Sequence, residues 1–225
     1  MEYHSRSREE VLDMIRHWYD GYSWDAVRSV YNPFSTLLLF TEKEIRNYWF
    51  ATGTPTFLID LIKGRNDVKT FLEPGQIQST GFDSFDYKTL DTNTKLLLFQ
   101  TSYITLKSAT KNAFSEVLTY TLGIPNEEVR QAMLQHLVSS YSAYPVSDTA
   151  PMRDRMQQQL FDGNVQAFER NMQEMFAHIP YQLHIPREAY YHSLFLLWLN
   201  LLGFDVQSEV STDKGRIDYG LGKIA

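Results

Sequence analysis

The chain of 225 residues contains no cysteine. This absence excludes disulfide bonds, thiolate metal sites and cysteine nucleophiles together, and it fits a reducing compartment. Long apolar runs are also missing, because the longest one, Leu194 to Leu202, is interrupted by Asn200 and is far shorter than the ~20 residues that cross a bilayer. The polar segment Met1–Arg6 lacks the apolar stretch of a secretory signal. The sequence therefore predicts a cytoplasmic protein without a membrane span.

The chain also has no excess of positive charge. The 27 acidic residues outnumber the 21 Lys and Arg, and no run of five or more basic residues occurs. Because affinity for nucleic acid comes mainly from phosphates that basic side chains neutralise, this balance weighs against a large phosphate-binding surface. No segment of the form G-x-x-x-x-G-K-[ST] is present, so the residues offer no Walker-type nucleotide site. Hydrophobic residues, at 43%, are frequent enough for a substantial core.

Capping signals predict several short helices in the first third of the chain. Ser7–Glu10 forms a capping box that opens an amphipathic helix, and Asn32-Pro33 predicts the start of a second helix. Thr41–Glu44 has the pattern of another capping box. Thr54-Pro55 predicts a further helix start, before an apolar run that we expect to end at Gly64.

The composition changes between about residues 76 and 122, where Thr, Tyr, Phe and Val dominate. Tyr103–Lys107 and Val117–Leu122 flank a polar loop and predict a β-hairpin. A helix is expected to follow from Pro125-Asn126. A hairpin followed by a helix is the order that a winged-helix-like module would have.

The remainder of the chain is predicted to be helical until its last segments. The predicted elements are helices over Pro151–Phe161, Asn164–His178 and Arg187–Leu202, a Gly203 helix stop, and strands over Phe204–Ser211 and Gly215–Leu221. The connector Pro180–Pro186 suggests a domain boundary. We therefore predict an α+β, predominantly helical chain, with a helical, winged-helix-like region over 1–180 and a helix–strand–strand domain over 181–225.

Six segments of the sequence together resemble one bacterial family. They are Trp18–Tyr22, Tyr31–Ser35, Tyr48-Trp49 with Thr52–Pro55, Tyr103–Thr105, Pro125–Arg130 and Gly215–Asp218. The family consists of AAA-ATPase-like proteins with a C-terminal PD-(D/E)xK nuclease domain, and the resemblance spans almost the whole chain. In that family an ATPase core precedes the first segment, and a strand bearing Glu-x-Lys follows the last. The resemblance therefore implies a fragment of an ATPase-coupled, Mg²⁺-dependent nuclease.

The resemblance also implies a set of catalytic carboxylates. Asp218 matches the metal-binding Asp of the nuclease fold, and Glu209 and Glu188 match acids that assist it. Ordinary roles are open for each: Asp218 as a solvated strand-end carboxylate, Glu209 as an outward strand residue, and Glu188 as an acid that complements a helix dipole. Residues 219–225 contain Lys223 but no acid two positions before it. We therefore expect an incomplete or vestigial centre, with no bound cofactor and little or no catalysis.

A second grouping of metal-ligand types has a weaker basis. His184, Glu188 and His192 are spaced four apart, but Pro186 is expected to start the helix and leave His184 outside it. Two remaining ligands make a poor metal site, so we predict that no metal binds there. The aromatic cluster Trp18–Tyr22 could stack on bases, but packing is the better interpretation in a chain this rich in aromatic residues.

The alternative function is a non-catalytic interaction or regulatory module. The acidic balance and the missing catalytic segments both favour it. Under this hypothesis the partner is another protein or a second copy that pairs with an open strand edge. Under the nuclease hypothesis the complete parent protein would bind nucleic acid.

Overall fold

The computed structural model describes residues 6–52, 56–83, 93–179, 188–212 and 215–224. The helices are α1 (Arg8–Tyr19), α2 (Pro33–Glu42), α3 (Thr56–Arg65), α4 (Val68–Leu72), α5 (Thr80–Asp83), α6 (Thr94–Gln100), α7 (Glu127–Ser142), α8 (Val146–Phe161), α9 (Val165–Ala177) and α10 (Glu188–Leu201). The strands are β1 (Gln76–Gln78), β2 (Thr105–Lys111), β3 (Leu118–Gly123), β4 (Phe204–Thr212) and β5 (Gly215–Ile224). This content confirms the predicted α+β, predominantly helical class.

The chain divides into two compact units. Unit 1 comprises Met1–Ile62 and Asp67–Ala132, and unit 2 comprises Lys63–Asn66 and Met133–Ala225. The predicted boundary after residue 180 stays a prediction, and its connector Pro180–Pro186 lies outside the described residues. Every helix in the described part of the chain is too short or too polar to cross a bilayer.

Helix starts that rest on local caps are confirmed. The Ser7 hydroxyl accepts from the Glu10 amide at 3.2 Å, and the Glu10 carboxylate accepts from the Ser7 amide at 2.7 Å, which completes the predicted capping box. Asn32 Oδ1 accepts from the Phe34 amide at 3.0 Å and caps α2. Asn164 caps α9 in the same way. Each cap satisfies an amide that the first helical turn leaves without an intrahelical partner.

The predicted capping box at Thr41–Glu44 is wrong. The Thr41 hydroxyl donates back to the Leu37 carbonyl at 3.0 Å, and α2 continues to Glu42. Lys43 then adopts a left-handed conformation with φ of 55°, which ends the helix. The same four residues thus close one helix instead of opening another, because the preceding turn already engages the Thr41 side chain.

The predicted helix stop at Gly64 is also wrong. Helix α3 runs through Gly64 to Arg65, and Asn66 takes the left-handed conformation with φ of 52°. The Asp67 amide donates to the Ile62 carbonyl at 2.9 Å and the Asn66 amide donates to the Lys63 carbonyl at 3.0 Å. This pair of bonds is a Schellman ending with Asn in the position that glycine usually holds. The predicted start signal Thr54-Pro55 lies outside the described residues.

Helix α8 begins earlier than its proline suggested. It starts at Val146, so Pro151 lies inside the helix instead of at its first position. The first turn is held by the buried Thr149, whose hydroxyl donates to the Val146 carbonyl at 2.7 Å. Pro151 removes one intrahelical bond that the turn before it would otherwise receive.

The predicted hairpin and the helix after it are confirmed, with one strand added. Strands β2 and β3 pair antiparallel, and β1 adds to the other side of β3, which gives the order β1-β3-β2. Asn126 Oδ1 accepts from the Val129 amide at 3.1 Å at the start of α7. The comparison with a winged-helix-like module stays a prediction.

The aromatic cluster near the start of unit 1 is part of its core. Tyr19 is fully buried and packs with Leu39 and Tyr48. Its hydroxyl donates to the Arg46 carbonyl at 2.8 Å and accepts from the Arg46 amide at 3.0 Å. Tyr22 is 5% exposed. The packing interpretation of these tyrosines is confirmed.

A buried carboxylate ties two distant parts of unit 1 together. Glu128 has no solvent exposure, and its Oε1 accepts from the amides of Tyr48 and Trp49 at 2.8 and 2.9 Å. Its Oε2 has no hydrogen-bond partner in the described part of the chain. Burial raises the pKa of Glu128, while the bonds from these amides and the nearby Ser35 hydroxyl act in the opposite direction. Glu128 is thus one of the two acids in the first turn of α7, and its side chain is buried instead of solvated.

In unit 2, helices α8 and α9 pack against each other. Met152 and Met156 on α8 and Met172 and Met175 on α9 are buried, and their flexible side chains fill irregular core space. A side-chain bond of 2.7 Å from Asn171 to Gln159 crosses the same pair of helices.

Candidate functional site

The predicted helix–strand–strand order at the end of unit 2 is present in the structure. Helix α10 is strongly apolar over its second half, and Leu194, Leu197 and Trp198 have no solvent exposure. Gly203 follows the helix with φ of 91°, and β4 begins at the next residue. Strand β5 then pairs with β4, so the candidate site lies on a hairpin that a buried helix supports.

The hairpin register brings two of the predicted carboxylates to one level of the ladder. Strands β4 and β5 pair antiparallel, with Ser208 opposite Tyr219 and Val210 opposite Ile217. By this register the backbone positions between these two pairs are those of Glu209 and Asp218. The catalytic roles of both acids stay a prediction.

The third predicted carboxylate occupies a different element. Glu188 is the first residue of α10 and is exposed. A carboxylate in the first turn gains about 0.3–1 kcal/mol from the helix dipole, so its ordinary role accounts for its position. Helix α10 and strand β4 contact each other, and the connection between them is short.

Neighbouring helices hold the beginning of α10 in place. Asn66 Nδ2 donates to the Ala189 carbonyl at 3.2 Å, and Asn66 Oδ1 accepts from the Tyr141 hydroxyl at 3.2 Å. The rings of Tyr141 and Tyr190 stack with centroids 5.1 Å apart, and the Tyr190 hydroxyl donates to the Tyr141 carbonyl. Burial raises the pKa of Tyr190, which keeps this phenol a neutral donor. The first turn of α10, with Glu188, is thereby fixed to α7 and to the end of α3.

Sequence reasoning missed this support. Asn66 follows a glycine that looked like the helix stop, and its two side-chain partners lie 75 and 123 residues further along the chain. The one available signal was the tolerance of Asn for the left-handed conformation at a helix end. That signal predicts the backbone of Asn66 but not the contacts of its side chain.

The second grouping of ligand types is not brought together by the described residues. His184 lies outside them, and His192 follows Glu188 by one turn on α10. Within the described ranges, no group of three or more His, Cys, Asp or Glu could hold a metal ion. The prediction that His184, Glu188 and His192 bind no metal stays a prediction.

The same stretch of chain is the one that matches a known family. Residues 186–223 match the family model of the PD-(D/E)XK nuclease superfamily. This range contains α10, the paired part of the hairpin around the two acids, and all three predicted carboxylates. The chain is also similar to a protein of Azotobacter chroococcum mcd 1 described as "Uncharacterized protein in vnfD 5'region", with 37% identity over 214 residues.

The similarity to this relative extends over only part of the relative's length. The alignment covers 92% of this chain but only 40% of the relative, so the chain spans less than half the length of the protein it matches. No solved structure matches the chain with significance. The comparisons therefore support a nuclease-like segment over 186–223.

Proposed function

We propose that this chain supplies the first part of a Mg²⁺-dependent phosphodiesterase centre of the PD-(D/E)XK type, and that it catalyses little or no hydrolysis by itself. The observation that carries the proposal is the match of residues 186–223 to the nuclease family model, and the β4–β5 register supports it by setting the backbone positions of Glu209 and Asp218 opposite each other. Mg²⁺ prefers oxygen ligands and is commonly held by one or two carboxylates, with waters completing its octahedral shell. Two acids at one ladder level fit this donor chemistry.

Simple geometry supports a role for Glu188 in the same centre. Glu188 lies about 20 Å from the Gly203 end of α10, at about 1.5 Å per residue. Glu209 lies about 17 Å along β4 from the same end, at about 3.3 Å per residue. Helix and strand contact each other across a short connection, and a β4 strand that runs back along α10 would bring both residues to the same end of this pair. All three carboxylates would then surround one position.

Each of the three carboxylates can be given a role in such a centre. Asp218 and Glu209 would hold the cation, and Glu188 would orient a water bound to it. A bound Mg²⁺ supplies Lewis acidity toward a phosphoryl oxygen. What these residues do not supply is the Glu-x-Lys pair that completes such a centre, because Leu221 stands two positions before Lys223. Weak cation binding without turnover is the expected behaviour.

Coupling to an ATPase and binding of nucleic acid belong to the proposal for a longer protein. The support is the resemblance to AAA-ATPase-like proteins, and the chain covers only 40% of the relative that it matches. The 225 residues of this chain contain no phosphate loop of the Walker type. Any nucleotide-dependent step would therefore use residues outside this chain.

Paramagnetic broadening by Mn²⁺ tests the cation site directly. We expect Mn²⁺ to broaden the amide signals around Glu209 and Asp218 in the ¹⁵N-labelled chain, and excess Mg²⁺ to reverse the effect. Asp218→Asn should abolish the broadening, while Asp205→Asn, which removes another acid of β4, should leave it unchanged. Broadening that survives Asp218→Asn, or that never appears on the hairpin, would refute the proposed site.

A second candidate function is an interaction module, and the sheet arrangement favours it. Among the described strands, β1 and β2 form the edges of the three-stranded sheet, and β4 and β5 form a sheet of two. Edge strands offer unpaired backbone groups to another chain. Light scattering at increasing concentration would detect self-association, and a constant monomer mass would argue against pairing between copies.

A further inference from the structure

Unit 1 contains a cavity that the nuclease proposal does not use. It measures about 310 Å³, which is within the range of small-molecule sites. The described residues that line it are Tyr22, Trp24, Val30, Tyr31, Asn32, Pro33, Trp49 and Ser102. Four of these eight residues are aromatic.

The four aromatic rings at the cavity differ in their contacts. Tyr22 and Trp49 stack on each other with centroids 5.7 Å apart and planes 23° apart, and Tyr103 meets Trp49 edge-on. Tyr31 packs against the core formed by Tyr19, Leu39 and Tyr48. Trp24 is 65% exposed and lies at the rim. A guest in the cavity would therefore meet one fixed ring pair and two further rings.

The charges around the cavity favour a cation over an anion. None of the described lining residues is basic. The buried Glu128 carboxylate is bonded to the Trp49 amide, and its charge is among the causes that raise the pKa of Tyr22, after burial. Asp25 follows Trp24 and is ionised, since bonds from backbone amides lower its pKa to about 2. Arg28 is a nearby cation, and it is paired with Asp25 at 3.4 Å.

We propose that this cavity binds an alkylated ammonium group. The negative faces of aromatic rings attract such cations, and a quaternary ammonium loses little hydration on entering an apolar cavity. A phosphorylated ligand would meet no basic side chain among the described lining residues. The cation can come from a free molecule such as choline or from a methylated lysine of a protein, and both present the same chemistry to the rings.

The four tryptophans make the site observable with an internal control. The indole N–H signals of Trp24 and Trp49 are expected to shift on titration of the full chain with choline chloride, and those of Trp18 and Trp198 to stay in place. Trp198 is fully buried in unit 2 and does not line the cavity. The uncharged isostere 3,3-dimethylbutanol should bind about tenfold more weakly, because it lacks the charge that the ring faces attract.

Two variants and one peptide pair complete the test. Trp24→Leu should weaken choline binding about fivefold, whereas Phe114→Leu, which alters a residue 99% exposed on the hairpin loop of the same unit, should not change it. A trimethyllysine peptide that binds more tightly than both choline and its unmethylated form would identify a protein source. Choline that binds more tightly than the peptide would identify a free molecule.

Three results would overturn the proposal. Equal affinity for choline and its uncharged isostere would show an apolar cavity without cation recognition. Tighter binding of adenine than of choline would show a base-stacking site. The absence of any shift at Trp24 and Trp49 at millimolar choline would show that the cavity does not take the cation at all.

Discussion

Glu128 Oε1 lies 2.8 Å from the backbone nitrogen of Tyr48, a residue 80 positions earlier in the chain. The same oxygen also accepts from the Trp49 amide. It therefore connects two segments of unit 1 that are far apart in the chain. A buried charge is costly unless it is hydrogen-bonded, and only one of the two Glu128 oxygens has partners in the described part of the chain. The free energy of unfolding of suitable variants measures how much the hydrogen bonds stabilise and how much the buried charge destabilises the protein.

Replacing Glu128 should separate its hydrogen bonds from its charge. Glu128→Ala leaves two buried amides without an acceptor and creates a cavity, so we expect a loss of about 3–5 kcal/mol in the free energy of unfolding. Glu128→Gln keeps an acceptor and removes the buried charge, and it should cost less than about 1 kcal/mol. Urea unfolding measures both. Glu116→Ala, at a residue whose side chain is 83% exposed, is the control and should change little.

The charge of Glu128 also predicts a pH dependence. Because burial raises its pKa in the folded state, the folded protein holds this proton more tightly than the unfolded chain. Its contribution to stability is fully present below the ordinary value of 4.5 and is lost as pH rises through the raised pKa. The wild type should therefore lose stability relative to Glu128→Gln as pH increases from about 4.5 toward neutrality.

The comparison with Glu128→Gln isolates this effect from another buried group. His136 has a pKa lowered by burial, so its contribution to stability is lost as pH falls, which is the opposite direction. Both proteins contain His136, and its effect cancels in the difference. A difference in unfolding free energy that does not vary with pH would contradict the assignment to Glu128.

Two glycines should respond to alanine in opposite directions. A Cβ on Gly21 would lie 2.0 Å from the Pro125 carbonyl oxygen, and Gly21 has φ of 120°. Gly21→Ala should therefore destabilise the protein by more than about 3 kcal/mol. Gly64 lies inside α3 with nothing within 4 Å of a new Cβ, so Gly64→Ala should stabilise by about 0.5–1 kcal/mol. Thermal unfolding of both variants tests this prediction, and equal shifts in Tm would contradict it.

The support of α10 can be tested at Asn66. Asn66→Gly keeps the left-handed backbone accessible but removes the bonds to Tyr141 and Ala189, so it should cost about 1–2 kcal/mol. Asn66→Ala loses the same bonds and adds the strain of φ at 52°, for about 1 kcal/mol more. Urea unfolding followed by tryptophan fluorescence, to which the buried Trp198 of α10 contributes, measures both variants. Variants of equal stability would show that backbone strain at this position is negligible.

Structural features could be predicted from the sequence where the interacting residues are close together in the chain, and not where they are far apart. The capping box of Ser7 and Glu10 and the cap at Asn32 were predictable because cap and helix are adjacent in the chain. The Thr41 signal failed since the preceding turn engaged the same hydroxyl. The role of Glu128 could not be predicted, because its first-turn position looks like an ordinary helix acid and its partners lie far away.

The candidate site shows the same contrast between local and long-range features. Glu209 and Asp218 were predicted from a resemblance, and their opposition follows from two strands joined closely enough to form a hairpin. The anchoring of α10 by Asn66 depends on contacts across 75 and 123 residues, for which the sequence contains no local pattern. Long-range side-chain contacts are therefore the part of the site that required the structure.

Removing the best catalytic candidate should leave the chemistry of this chain unchanged. Two carboxylates can retain a cation weakly, but hydrolysis also requires an oriented hydroxide, and no acid stands two positions before Lys223 to complete a Glu-x-Lys pair. Plasmid and single-stranded DNA should therefore remain intact with Mg²⁺ or Mn²⁺, both with the wild-type chain and with Asp218→Ala. Robust cleavage that Asp218→Ala abolishes and Asp205→Asn preserves would overturn this prediction. It would show that the carboxylates of Glu209 and Glu188, or a strand from a second copy, complete the centre.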